Sequence, residues 1–399
     1  MREVYLDHYA ATPVIAEAAQ AMAPYLDDRF GNPSSLHRWG DAGREAVEEA
    51  RERVASLLGA DPAEIIFTSG GTEANNTAIK GIALAARKKG NHVIVSEIEH
   101  FSVLHAARTL EKLGFEVTEV GVDGDGVVDP AAVGQALRPD TVLISVMTAN
   151  GEIGTVQPVK EIAAVAGREG IAFHSDAVAA AGYLPLDVND LGVDALSIAS
   201  DLLYGPKGAG ALWVRHGLRL MPLLDGGTQE GGRRGGTENV PGVVGMGVAA
   251  RLAGEGLEER AGRLSSMRDS LIERLPRAIP HLRLTGHPTR RLPWNAGFTV
   301  EFIEGEGMLL FLDQAGVAVS SGSACTSRAL KGSHVLSACG IPAEIAQGSL
   351  LFSFGLDNLP EDVDYVLEVL PPIVERLRKM SPLYDKFLKQ GGDQDSTVQ

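Results

Sequence analysis

HVIVSEI at residues 92–98, followed by FSVLHAARTLEKLG at 101–114, decides the fold class. The first stretch is a short apolar run, the pattern of a buried strand. The second repeats its apolar residues at helical spacing. Similar strand patterns recur in TVLISVM (141–147), GIAFHSDAV (170–178), ALSIAS (195–200) and GALWV (210–214), and VKEIAAVAGREG (159–170) is a second helical pattern between them. Continuous apolar strands alternating with helices predict a mainly parallel α/β sheet.

Beyond about residue 250 the character changes. RLAGEGLEERAGRLSSMRDSLIERLP (251–276) predicts one long charged helix. Shorter strand patterns follow, NAGFTVEF and LLFSFG, and then a final helix, EDVDYVLEVLPPIVERLRKM. This is the pattern of a smaller α+β domain. The expected division is a large α/β domain over 15–255, a small domain made of 1–14 with 256–390, and a disordered polar tail over 391–399.

The bulk properties exclude several function classes. The chain has 399 residues, 44% of them hydrophobic, which is enough for a substantial core. A net charge of -16 argues against nonspecific nucleic-acid binding. Two cysteines, Cys325 and Cys339, exclude a disulfide framework and point to a reducing cytoplasm. The first strand pattern begins at Val4, so no signal peptide is expected, and no apolar run reaches the roughly 20 residues a membrane span needs.

Chemistry concentrates in a few motifs. FTSGGTEANNTAIKG (67–81) is a strand end, a Gly-rich turn and a helix start. Gly70 and Gly71 let backbone N–H groups approach an anion, and Thr72 adds a hydroxyl. The same residues also suit an ordinary Thr-capped helix. His100 and Asp176 each follow a strand, where open α/β sheets bind ligands. A ring to stack on a pyridine and a carboxylate to hold its nitrogen protonated are what pyridoxal chemistry requires. The plain alternative is a helix-capping His100 and a satisfied core Asp176. Cys325 lies in a loop of small residues, AVSSGSACTSRALKGSHVL (318–336), which suits a thiol that must move and react. Cys339, in HVLSACGI, is expected only to pack.

Taken together these motifs resemble the cysteine desulfurases of the NifS/IscS kind, in the class V aminotransferase family. YLDHYAATPV resembles the opening motif, TSGGTEANNTAIKG the phosphate loop and ANGEIGTVQP the substrate loop. GGTQEGGRRGGTEN (226–239) resembles the segment that reaches into a neighbouring subunit, and SSGSACTS the loop of the sulfur-accepting cysteine. The resemblance implies a fold-type-I pyridoxal phosphate enzyme with a mainly parallel seven-stranded sheet and a smaller α+β domain. It implies a cytoplasmic homodimer that converts cysteine to alanine and passes sulfur to an iron–sulfur scaffold or another acceptor. It makes Cys325 the persulfide carrier and His100 the ring-stacking histidine. It assigns the cofactor to Gly71, Thr72, Asn150, Asp176 and, from the partner subunit, Thr237.

The same resemblance exposes departures. Counting back from Tyr204 in SIASDLLYGPKGAGALWV (197–214), Leu202 stands where the family has its Schiff-base lysine. Asp201 stands for a histidine, Ala199 for a phosphate-binding serine, Ala179 for a glutamine and Leu351 for the arginine that grips the substrate carboxylate. Without the lysine there is no internal covalent link and no ε-amine to move protons. Without the arginine a charge-assisted clamp is gone. The expectation is a dimeric scaffold or sulfur carrier acting through Cys325, with pyridoxal phosphate absent or held non-covalently, and with a transient iron–sulfur cluster as a further ligand. The alternative is a desulfurase using non-covalent cofactor or a substitute lysine. Lys207 is the nearest, but five residues along the chain is expected to be a different place in space. For the emptied pocket, one idea is a metal held by Asp201, Asp176 and His100. The other is Asp201 bonded to backbone N–H groups or water, with Leu202 filling the space.

Overall fold

A computed structural model describes residues 2–322 and 332–390. The Cys325 loop and the tail 391–399 therefore lie outside the described residues. Seven strands form the central sheet, in the spatial order Ile65–Thr68, Gly210–Val214, Ala195–Ala199, Ala172–Asp176, Thr141–Ser145, His92–Ser96, Glu116–Val120. Only Gly210–Val214 runs antiparallel to its neighbours, so the sheet is mainly parallel. Five of the seven strands are buried at every residue, which is why they read as continuous apolar runs.

Helices Phe101–Lys112 and Val159–Glu169 form where their apolar spacing predicts them. The expected single helix over 251–276 is instead two, Val240–Glu255 and Leu257–Ala278, meeting at Gly256. Their packing partners explain the break. The first lies against Arg38–Leu58 and is buried nearly all round, whereas the second lies against Pro360–Lys379. One straight helix could not serve both. The final helix does run through Pro371 and Pro372.

The N-terminal strand Val4–Tyr5 pairs in parallel with Val317–Ala318. Asp7 bridges to Ser353 on a second, antiparallel sheet built from Ser349–Ser353, Asn295–Val300 and Leu282–Leu284. The largest apolar cluster runs from Val4 and Leu6 through the central sheet to Val374. Sequence-distant segments thus share one core, and a cleft opens where they meet at the carboxyl ends of the parallel strands.

Candidate active site

That cleft is a cavity of about 560 Å³, within the range of small-molecule sites. One wall starts with the Gly70–Gly71–Thr72 turn, where helix Gly71–Ala86 begins. Gly70 has φ +149, a conformation that favours glycine, and its α-carbon side faces open space. A Cβ on Gly71 would stand 2.6 Å from Val178 Cγ2. The first-turn N–H groups of a helix have no intrahelical acceptors, which suits this end to an anion.

Asp176, the last residue of its strand, lines the floor. Its Oδ2 accepts from Asn75 Nδ2 at 2.6 Å and its Oδ1 from the Val178 amide at 2.9 Å. Burial raises the Asp176 carboxyl, and His100, the Val178 amide and Asn75 pull it back only in part. Asn75 Nδ2 also donates to Ser102 Oγ at 2.9 Å, and that hydroxyl sits 2.7 Å from His100 Nδ1. A single polar chain thus ties the floor carboxylate to the histidine at the rim. His100 both caps helix Phe101–Lys112, accepting from the Ser102 amide, and lines the cavity. His100 is thus a helix cap that also borders the cavity.

Asn150 lines the cavity too, but its side chain is committed to its own turn. Oδ1 accepts from the Glu152 and Ile153 amides, and Nδ2 donates to the Ile98 carbonyl. Two carboxyls complete the far wall. Glu99 is fully buried, and burial raises it to about 8 against hydrogen bonds from Ser96 and Met147. Burial raises Glu152 to about 7, opposed by Ser333.

The remaining wall is the turn Asp201–Leu203 with its flank. Ala179, Ala199, Asp201 and Leu202 all line the cavity. Leu202 is nearly buried and offers only hydrocarbon. The Asp201 carbonyl accepts from Thr12 Oγ1, but its carboxylate bonds to no backbone N–H among the described residues. Of the two ideas for this pocket, the metal finds no support, since no group of three His, Cys, Asp or Glu side chains among the described residues is placed to hold a metal ion. Asp201, Asp176 and His100 share the cavity without converging. Lys207, five residues beyond Leu202, lines this same cavity.

Thr237 does not line the cavity and is exposed. Its segment is nonetheless anchored. Glu230 makes a buried two-pronged pair with Arg51 at 2.8 and 2.9 Å, and Arg234 grips Glu73 behind the Gly-rich turn. Leu351 is buried in the second sheet, where its backbone pairs with Ser320, itself a lining residue. Cys339 is buried beside Gly126, and burial pushes its thiol up to about 12, as a packing residue requires. Asn75, Ser102, Glu99 and Glu152 were missed by sequence reasoning. Asn75 and Ser102 lie on helix faces that read as apolar, so an isolated polar residue there was the available signal.

The residues fit a phosphorylated pyridine in part. The Gly-rich turn suits a phosphate, and a protonated ring nitrogen would give buried Asp176 the cation it lacks among its direct partners. The turn at 201–203 supplies no amine.

The family pattern described as aminotransferase class-V matches residues 4–366. A relative called cysteine desulfurase IscS from Methanosarcina thermophila is 53% identical over 96% of this chain and 95% of its own. Another of that name, from Dictyoglomus turgidum (strain DSM 6724 / Z-1310), is 50% identical over 96% of this chain and 97% of its own. Among solved structures, a NifS-like protein superposes with a TM-score of 0.88 at 34% identity, covering 94% of this chain and all (100%) of the other. A structure titled SspA in complex with cysteine gives 0.79 at 36% identity, covering 88% and 98%.

Proposed function

Because the chain belongs to the class V aminotransferases, among the cysteine desulfurases, we propose that it serves sulfur transfer or iron–sulfur assembly as a dimer without ordinary desulfurase activity. Leu202 carries this reading. The wall position that follows the strand Ala195–Ala199 holds a hydrocarbon, so no side chain there can form the covalent link or shuttle a proton. Cys325 is then the working group, as a cluster ligand or sulfur carrier for a scaffold or other acceptor, and this rests on the motif SSGSACTS.

Pyridoxal phosphate, when bound, supplies an electron sink for chemistry next to an amino group. In this chain Gly71 and Thr72 would bind its phosphate, Asp176 would hold the proton on its nitrogen, and His100 would cover its face. Dimerisation is supported by the exposed side chains Leu26, Phe30 and Leu36, 69%, 73% and 97% accessible, which a lone chain leaves in water. Thr237 would serve a partner's cavity, a role supported by its exposure in a segment that the Glu230–Arg51 pair anchors. Residues 1–14 would move with 256–390, as their pairing with Val317–Ala318 suggests. A cytoplasmic setting is proposed from the cysteine usage, and no described helix is long and apolar enough to cross a membrane.

Absorbance before and after adding pyridoxal phosphate, with sulfide release from cysteine measured in the same sample, tests the reading. We expect no sulfide. Leu202→Lys should let borohydride fix the cofactor at position 202, without full activity. Sulfide release by the unaltered protein would sink the proposal. It would favour a second reading, an ordinary desulfurase, which the names of the relatives and the lysine at the cavity both suggest.

A further inference from the structure

The cavity is not without an amine. Among the described residues Lys207 is the one lysine that lines it. Its Nζ donates to the Thr12 carbonyl at 3.0 Å, and Thr12 Oγ1 donates to the carbonyl of Asp201. Thr12 is buried, so one fixed residue clamps both the turn that carries Leu202 and the lysine five residues later. Among the described residues Lys207 pairs with no carboxylate, so no ion pair must break before Nζ turns inward.

We propose that Lys207 is the covalent anchor of this cavity for a phosphorylated aromatic aldehyde, with the phosphate at the Gly70–Thr72 turn and the ring over Asp176. The inference rests on the family reading of the cavity but goes beyond it, since binding does not require desulfurase turnover. Nζ, once it has lost a proton to water, adds to the aldehyde carbon. The aldehyde oxygen then leaves as water with the two amine hydrogens, and a C=N bond remains. No oxidant or reductant is needed. Lys207 is exposed at the mouth, so a ligand reaches it without opening the core. Its small neighbours Gly208 and Ala209 line the cavity as well.

The test uses the full chain with about one equivalent of pyridoxal phosphate, borohydride reduction and peptide mass mapping. We expect one label per chain on Lys207, and its loss in Lys207→Ala. In Leu202→Lys the label should move to position 202, because both amines would compete for one aldehyde in one cavity. A label spread over surface lysines, or a Lys207 label that Leu202→Lys leaves unchanged, would overturn the proposal. So would a cofactor absorbance band that borohydride fixes nowhere. Sulfide release in the same samples keeps the two readings apart. Labelling of Lys207 without sulfide supports both, and labelling with Lys207-dependent sulfide supports the anchor while refuting the loss of activity. Sulfide without labelling refutes both.

Discussion

Replacing Glu99 with glutamine should stabilise the protein, and only above the acid range. Glu99 Oε1 accepts from Ser96 Oγ at 2.5 Å and from the Met147 amide at 2.8 Å, while Oε2 is buried without a partner. Burial, joined by the negative charge of Asp176, lifts the carboxyl from its ordinary 4.5 to about 8. The folded value lies above the unfolded one. The neutral carboxyl's contribution is therefore fully present below pH 4.5 and is lost as pH rises through 8. At about 1.4 kcal/mol per pH unit, the loss reaches ~3 kcal/mol at neutral pH. Glutamine keeps the acceptor oxygen and cannot ionise. Glu99→Gln should match the unaltered protein within about 1 kcal/mol at pH 5 and exceed it by ~3 kcal/mol at pH 7. Urea midpoints at both pH values, at unchanged slope, measure this. An equal difference at both pH values, or a variant weaker at pH 7, would show that Glu99 ionises normally and that the far wall is wetter than its burial indicates.

Other residues give independent checks. Glu230→Ala strands the Arg51 guanidinium beside Phe67 in the core and should cost about 3–5 kcal/mol in urea unfolding; a loss under 1 kcal/mol would mean water reaches Arg51. Asn75→Ala cuts the link from Asp176 to Ser102 and His100, and should cost about 1–3 kcal/mol while weakening pyridoxal phosphate binding. Unchanged binding would separate that network from the ligand. In a Cys325→Ala background, Cys339 should resist a thiol reagent at pH 8 until the protein is unfolded in guanidinium, since its thiol is buried and raised to about 12. Rapid native labelling would refute that.

The amino-acid order alone determined the buried strands of the central sheet, though not its half-exposed edge strand Glu116–Val120. Strands such as His92–Ser96 and Ala195–Ala199 are buried along their whole length, so nearly every residue is apolar or small, and buried His92 is the exception that two threonine hydroxyls satisfy. The Gly-rich turn and the ends of strands at His100 and Asp176 were legible for the same reason, because backbone geometry there constrains neighbours in sequence. The break at Gly256 was not legible. Its cause is two packing partners, Arg38–Leu58 and Pro360–Lys379, that lie far away along the chain. The cavity depends on such distances throughout. Tyr9, Thr72, Asp176, Leu202 and Ser320 line one space only after folding, and spacing along the chain carries no information about that. Sequence thus set which groups were present and what position 202 could not do. Tertiary packing alone decided that Asn75 joins Asp176 to His100, that Asp201 and Asp176 do not form a metal site, and that Lys207 stands at the mouth, because side chains meet by closure of the chain and not by their order.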